Sequence, residues 1–195
     1  MQWAHPKYEN VLATCGYDKK IKIWKEVKAQ SWDVVYEFQA AASVGSISWA
    51  PWEYGLILGA GAADGTVHII QRKGDDSWTQ LTYPGHDGGV NALSWGPATD
   101  PSMLSHEHVS SMVDPSQSKL VLPPKRFVTA GCDGKIKFWH FQESKFAITK
   151  ELLAHEDWVR DVAWCNNIGL LHDTVASCSE DQKVKIWKRT PAVSS

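Results

Sequence analysis

Much is scarce in this chain. No apolar run approaches the ~20 residues a helix needs to cross a bilayer, so no membrane span is predicted. The opening residues, Met1-Gln2-Trp3-Ala4-His5-Pro6, lack the charged start and apolar stretch of a signal peptide. Positive charge is not in excess: 20 Lys and Arg face 22 Asp and Glu, a net charge of −2. That balance does not suggest a nucleic-acid surface. The four cysteines, Cys15, Cys132, Cys165 and Cys178, form no C-x-x-C pair. This argues against a zinc site or redox motif and for reduced, buried thiols. No N-x-S/T sequon occurs, and no segment carries the 3.6-residue period of an amphipathic helix. Disorder is excluded as well, because 43% of the 195 residues are hydrophobic and only 22% charged.

Tryptophan is the exception, with 11 residues against 3 Met and 5 Phe. So costly a side chain, used so often, suggests one packing role copied along the chain. An internal repeat carries it. Trp3, Trp49, Trp95 and Trp164 stand 46, 46 and 69 residues apart. Downstream lie Lys20-Ile-Lys-Ile-Trp24, Thr66-Val-His-Ile-Ile70, Lys135-Ile-Lys-Phe-Trp139 and Lys183-Val-Lys-Ile-Trp187. Each follows an aspartate by two residues: Asp18, Asp64, Asp133 and Asp181, spaced by 46, 69 and 48. Both long intervals place an insertion of 23 residues between Trp95 and Asp133. The stretch over about 97–126, rich in Ser, Pro and His, reads as a long exposed loop.

The units read as strands. Lys-Ile-Lys-Ile alternates with period two, and Leu12–Cys15, Phe127–Ala130 and Thr174–Ser177 are compact, partly β-branched runs. Asp64-Gly65 and Asp133-Gly134 mark tight turns, with Asp18-Lys19 and Asp181-Gln182 in the same place without glycine. A further strand opens at Ser31-Trp32, Ser77-Trp78 and Lys145-Phe146. Four strands in about 46 residues cannot bury both faces of one sheet, whereas stacking such sheets radially does. The expectation is an all-β, β-propeller-type chain of about four blades of four antiparallel strands, the first and last incomplete. The units fall at about 1–39, 40–85, 86–154 and 155–190 of a single partial propeller.

The period, with Gly85-His86 and Ala154-His155 ahead of Trp95 and Trp164, resembles the WD-repeat (WD40) family. The resemblance implies hydrogen-bonded tetrads at His86, Thr129, Asp133 and Trp139, and at His155, Ser177, Asp181 and Trp187. Partial versions remain at Thr14, Asp18 and Trp24, and at Asp64, where Ala40, Ala60 and Ile70 replace the other members. Ser, His and Asp together invite a hydrolase reading. A set that recurs with the repeat period is structural, since a catalytic set occurs once.

Other candidates are weaker. Gly59-Ala-Gly-Ala-Ala-Asp-Gly65 looks like a dinucleotide loop, but a strand follows it where a helix N-terminus is required. His106-Glu107-His108 lacks a third ligand, so a solvated loop is expected. Lys19, Lys20, Lys22 and Lys25 read as edge-strand lysines that discourage sheet-to-sheet pairing. No catalytic, cofactor-binding or metal-binding set is predicted.

Several stretches resemble one branch of the WD-repeat family. They are Trp3–Asp18, Ser48–Leu58, Ala154–Trp164, Ile168–Leu170 and Val175–Asp181. That branch comprises the small propeller subunits shared by the COPII outer coat and the Y-shaped scaffold of the nuclear pore. The similarity runs from Gln2 to about Arg189. It implies a non-enzymatic scaffold of six blades with an open gap into which an α-solenoid coat subunit or nucleoporin inserts a blade. It further implies peripheral location at ER membranes, COPII vesicles and the nuclear envelope, and use in a nutrient-signalling complex. Nucleic acid, direct membrane insertion and a small-molecule substrate are not implied. The alternatives are a related Seh-type nucleoporin, or a peptide-binding WD-repeat adaptor with Trp158 and Arg160 as anchors. At four units, the chain is shorter than the family's ring. An isolated arc is expected to be poorly soluble or to bind other chains.

Overall fold

A computed structural model describes residues 1–98, 124–166 and 172–189. Among these, all regular structure is β apart from two single 3-10 turns at Pro6–Tyr8 and Trp52–Tyr54. The first sheet holds β1 (Gln2–Trp3), β2 (Val11–Cys15), β3 (Lys20–Lys28) and β4 (Ser31–Gln39). The second holds β5 (Val44–Trp49), β6 (Ile57–Ala62), β7 (Thr66–Arg72) and β8 (Trp78–Pro84). The third holds β9 (Val90–Trp95), β10 (Arg126–Gly131), β11 (Lys135–Gln142) and β12 (Lys145–Leu153). The fourth holds β13 (Val159–Trp164), β14 (Asp173–Ser179) and β15 (Val184–Arg189). Every sheet is an antiparallel meander with its strands in chain order, and the fourth has three strands among the described residues.

Burial explains the strand compositions. Three apolar clusters lie between successive sheets. One joins Ile21 and Ile23 to Trp49 and Leu58, the next Val67 and Ile69 to Val90 and Trp95, and the last Val128 and Ile136 to Val162 and Trp164. A sheet covered on both faces needs small, apolar or internally paired residues at every position, and all six residues of β6 and of β10 are buried. The outermost β4 is mostly exposed. The glycines of β6 allow the third sheet to approach. A Cβ on Gly61 would stand 2.6 Å from Val90 Cγ1, and one on Gly59 2.9 Å from Leu93. The Gly-rich run is therefore a strand and a turn pressed against a neighbouring sheet.

The copied tryptophans report the stacking directly. Trp49, Trp95 and Trp164 are each 7–8% exposed, but Trp3 is 57% exposed. The Trp49 indole N–H donates to Gln2 O at 3.0 Å, and that of Trp95 to Ser48 O at 2.8 Å, each reaching the preceding sheet. The third copied position also bridges sheets. Trp78 stacks on Tyr36 with centroids 5.3 Å apart, and Phe146 meets Tyr83 edge-on at 6.2 Å.

One expectation is corrected. Lys20, Lys22 and Lys25 do not lie on an edge strand, because β3 is flanked by β2 and β4. Their charges are met locally: Lys20 and Lys22 pair with Glu37 of β4 at 2.6 and 3.4 Å, and Lys25 with Glu9 at 2.9 Å. The loop expected over about 97–126, with His106 and His108, lies largely outside the described residues. Its last residue, Arg126, opens strand β10.

Candidate functional site

The polar clusters of the chain are built on one local device. Asp18, Asp64, Asp133 and Asp181 each close the hairpin between the second and third strands of a sheet. Each carboxylate accepts the backbone N–H two residues on, from Lys20, Thr66, Lys135 and Lys183, at 3.0–3.2 Å. Such a side-chain-closed turn favours a left-handed residue directly after the aspartate. Lys19, Gly65, Gly134 and Gln182 fill that place with φ of 65°, 84°, 72° and 66°. Gly65 has no alternative, since a Cβ there would stand 2.1 Å from His86 O. The device explains why Asp64 persists where the rest of its tetrad is gone.

In the third sheet the cluster is complete. His86 Nδ1 donates to Asp133 Oδ1 at 2.8 Å, and its Nε2 lies 2.8 Å from Thr129 Oγ1. The Trp139 indole N–H donates to the same hydroxyl at 2.9 Å. The Asp133 carboxylate can only accept, so the ring proton sits on Nδ1 and Nε2 is left to accept the Thr129 hydroxyl hydrogen. Nε2 is then the bare nitrogen, and the ring is neutral with its proton on Nδ1. Burial pushes the His86 imidazole below its ordinary pKa, with the Asp133 carboxylate opposing, in keeping with a neutral ring.

The fourth sheet repeats the arrangement. His155 Nδ1 donates to Asp181 Oδ2 at 2.9 Å, Ser177 Oγ sits 2.8 Å from its Nε2, and Trp187 donates to Ser177 at 3.0 Å. Burial alone would raise the Asp181 carboxyl. Hydrogen bonds from His155 and from the Glu156 and Lys183 amides outweigh it and hold the group at about 2. The first sheet keeps one link, Trp24 donating to Thr14 at 2.9 Å. In the second, Ala60 and Ile70 are fully buried, so apolar packing takes the place of the network.

Two features escaped the sequence reading. His68 is buried, with its ring nitrogens 3.2 Å from Thr66 Oγ1 and 2.9 Å from Thr82 Oγ1. The signal was available, because the other repeats carry Lys22, Lys137 and Lys185 at that position. Arg126 and Asp173 form a buried ion pair at 2.9 Å across the third and fourth sheets, and the guanidinium lies over the Trp164 ring at 5.2 Å. The counterparts of Arg126 in the first two sheets, Val11 and Ile57, are apolar and buried.

Trp158 and Arg160 share an exposed surface near the second tetrad. The guanidinium stands 5.0 Å from the half-exposed indole and pairs with Glu180. Among the described residues, no group of three or more His, Cys, Asp or Glu side chains could hold a metal ion, and no helix is long and apolar enough to cross a membrane.

The sequence pattern described as WD domain, G-beta repeat matches residues 2–25, 101–140 and 146–188, more than half of the chain. The chain belongs to this WD-repeat family. Its four sheets are WD blades in a propeller-like stack. The chain is 40% identical over 209 residues to the protein transport protein SEC13 of Cryptococcus neoformans, covering 100% of this chain and 61% of that protein. It is 39% identical over 188 residues to the SEC13 homolog of Drosophila melanogaster, covering 95% of this chain and 51% of the homolog. The WD-repeat chain thus spans between half and two-thirds of the length of these curated relatives. A solved structure, the crystal structure of the mitotic checkpoint complex, shares the fold with a TM-score of 0.64 at 17% identity, covering 91% of this chain and 47% of that one.

Proposed function

We propose that this WD-repeat chain is a non-enzymatic scaffold of membrane-coat assemblies, of the kind that builds the COPII coat for ER-to-Golgi transport and the nuclear pore scaffold. The observation that carries the reading is the 40% identity to SEC13 transport proteins along the whole chain. The polar clusters support it. The His–Asp–hydroxyl arrangement recurs with the blade period and is capped by an indole, buried at Trp139 and partly buried at Trp187, so its role is to lock the inter-blade crossing to the hairpin beside it. The reading includes an α-solenoid partner that adds a blade, and such an assembly sits peripherally on ER-derived vesicles and at the nuclear envelope.

The experiment is affinity purification of the tagged chain from its source cells, with mass spectrometry of the eluate. The reading expects a stoichiometric helical-repeat coat or pore subunit, while recovery of the chain alone overturns it. A second reading, a peptide-binding adaptor, draws on the exposed Trp158–Arg160 pair. It expects a short peptide whose binding is lost in Trp158→Ala.

A further inference from the structure

β4, β8 and β12 each close a complete four-stranded sheet, and among the described residues no strand pairs with their outer sides. Such an edge attracts further strands, and proteins blunt it with charge, bulges or proline. β4 carries Asp33 and Glu37, and its pairing shifts beside Trp24. β12 carries Lys145, Lys150 and Glu151, and its pairing shifts beside Trp139. β8 has neither device. Trp78-Thr-Gln-Leu-Thr-Tyr-Pro84 holds no charged residue, and its pairing with β7 runs from Arg72–Trp78 to Thr66–Pro84 without a shift. Trp78, Thr79, Thr82 and Tyr83 all favour strands.

Neutral groups also hold this strand in place. The first and third sheets pair Lys22 with Glu37 and Lys137 with Glu151 across their outer strands. The second has His68 opposite Thr82, with His68 Nδ1 2.9 Å from Thr82 Oγ1, and the Gln80 amide donates to the same oxygen.

The register determines which backbone groups face outward. The Lys73 N–H donates to Ser77 O, and the Gly85 N–H to Gly65 O, so these pairs are hydrogen-bonded positions of the ladder. Hydrogen-bonded and non-hydrogen-bonded pairs alternate in an antiparallel ladder. Thr79, Leu81 and Tyr83 therefore turn their backbone groups to β7, and Trp78, Gln80 and Thr82 turn theirs outward. Pro84 belongs to the outward set, where its missing N–H breaks no bond to β7.

Two copies of β8 are self-complementary when they run antiparallel about Leu81. Gln80 of each copy then stands opposite Thr82 of the other, and the two exchange both backbone hydrogen bonds. Leu81, 50% exposed, meets its own copy at a non-hydrogen-bonded position, where side chains approach most closely. No like charges face each other along the strand. The same operation on β4 about Val35 would set Asp33 against Glu37.

We infer that the outer edge of β8 is a self-pairing surface that joins two copies of this chain through one antiparallel sheet about a two-fold axis. A single strand edge is small against the ~1,200 Å² of a stable complex, so the contact is weak and reversible. The inference does not depend on the coat reading.

Amide hydrogen exchange of the 195-residue chain over about a hundredfold dilution series tests it, with sedimentation velocity as the measure of association. Exchange at Gln80 and Thr82 is expected to slow as concentration rises. Leu81→Lys and Leu81→Glu each bring like charges together and weaken association about fivefold or more, and an equimolar mixture of the two recovers it. Gln80→Pro, which removes an outward N–H and none that faces β7, weakens association without adding charge. Exchange along β8 that ignores concentration would overturn the inference. So would equal association of the wild-type chain and all three variants, or a loss in the two charge variants that mixing does not restore.

Discussion

Thr129→Val removes one oxygen from the centre of the third-sheet tetrad and nearly preserves shape. Thr129 is fully buried, and its hydroxyl is shared by the His86 ring at 2.8 Å and the Trp139 indole at 2.9 Å. With a methyl in its place, two buried polar atoms lose their partner and water cannot reach them. Each such atom costs about 1–3 kcal/mol, so the substitution is expected to destabilise by about 2–4 kcal/mol after partial relaxation. That is a large share of a stability of order 5–15 kcal/mol. The internal control is Thr14→Val. Among the described residues that hydroxyl meets only Trp24, at 2.9 Å in a part-buried setting. Its expected cost is about 0.5–1.5 kcal/mol. Urea unfolding followed by tryptophan fluorescence measures both, read as a midpoint shift at unchanged slope. Equal shifts for the two variants, or a Thr129→Val shift below about 0.5 kcal/mol, would refute the claim that the complete tetrad holds a blade more firmly than the partial one.

Further tests follow from single observations. Gln182→Gly relieves a side chain held at φ 66° and is expected to stabilise by about 1 kcal/mol, whereas Gly65→Ala drives a Cβ into His86 O and unfolds the second hairpin; thermal melts separate the two. Asp173→Ala removes the carboxylate that meets the buried Arg126 charge and is expected to cost about 3–5 kcal/mol, while the double change Arg126→Val and Asp173→Leu, after Val11 and Leu56 at the matching places of the first two sheets, restores stability. Burial holds the folded His86 below its unfolded pKa of about 6.5, so the unfolded chain takes up more protons there and stability falls as pH drops through that value. A second loss comes from Asp181, depressed to about 2 from an unfolded value of 3.8, as pH falls through that lower window. Urea midpoints from pH 8 to pH 3 check both limbs, and His86→Gln should flatten the upper one.

The repeat made the stacking legible because one packing solution is written four times. The spacing of Trp3, Trp49, Trp95 and Trp164 locates the inner strands, and the Asp positions locate the hairpins. The second repeat shows why Asp64 survives alone, since the turn needs the carboxylate even where Ala60 and Ile70 have replaced the network. Local pattern could not reveal contacts between blades. Arg126 sits at the margin of an irregular insertion and finds its partner 47 residues on, across two sheets. The lysines of β3 were misplaced for a related reason. Alternating Lys and Ile reads alike on an edge or an interior strand, and only the glutamate of the next strand tells them apart. His68 was readable by comparing repeats, but not from its own neighbours.

The proposed coat-scaffold role rests on a solenoid partner packing against the blades of this WD-repeat chain. Cross-linking mass spectrometry on the complex purified from source cells tests it most directly. Cross-links are expected from exposed lysines, such as Lys28 of the first sheet and Lys183 of the fourth, to a helical-repeat coat or pore subunit. Cross-links confined to the chain itself, or leading only to short peptide-bearing proteins at the Trp158 surface, would contradict it.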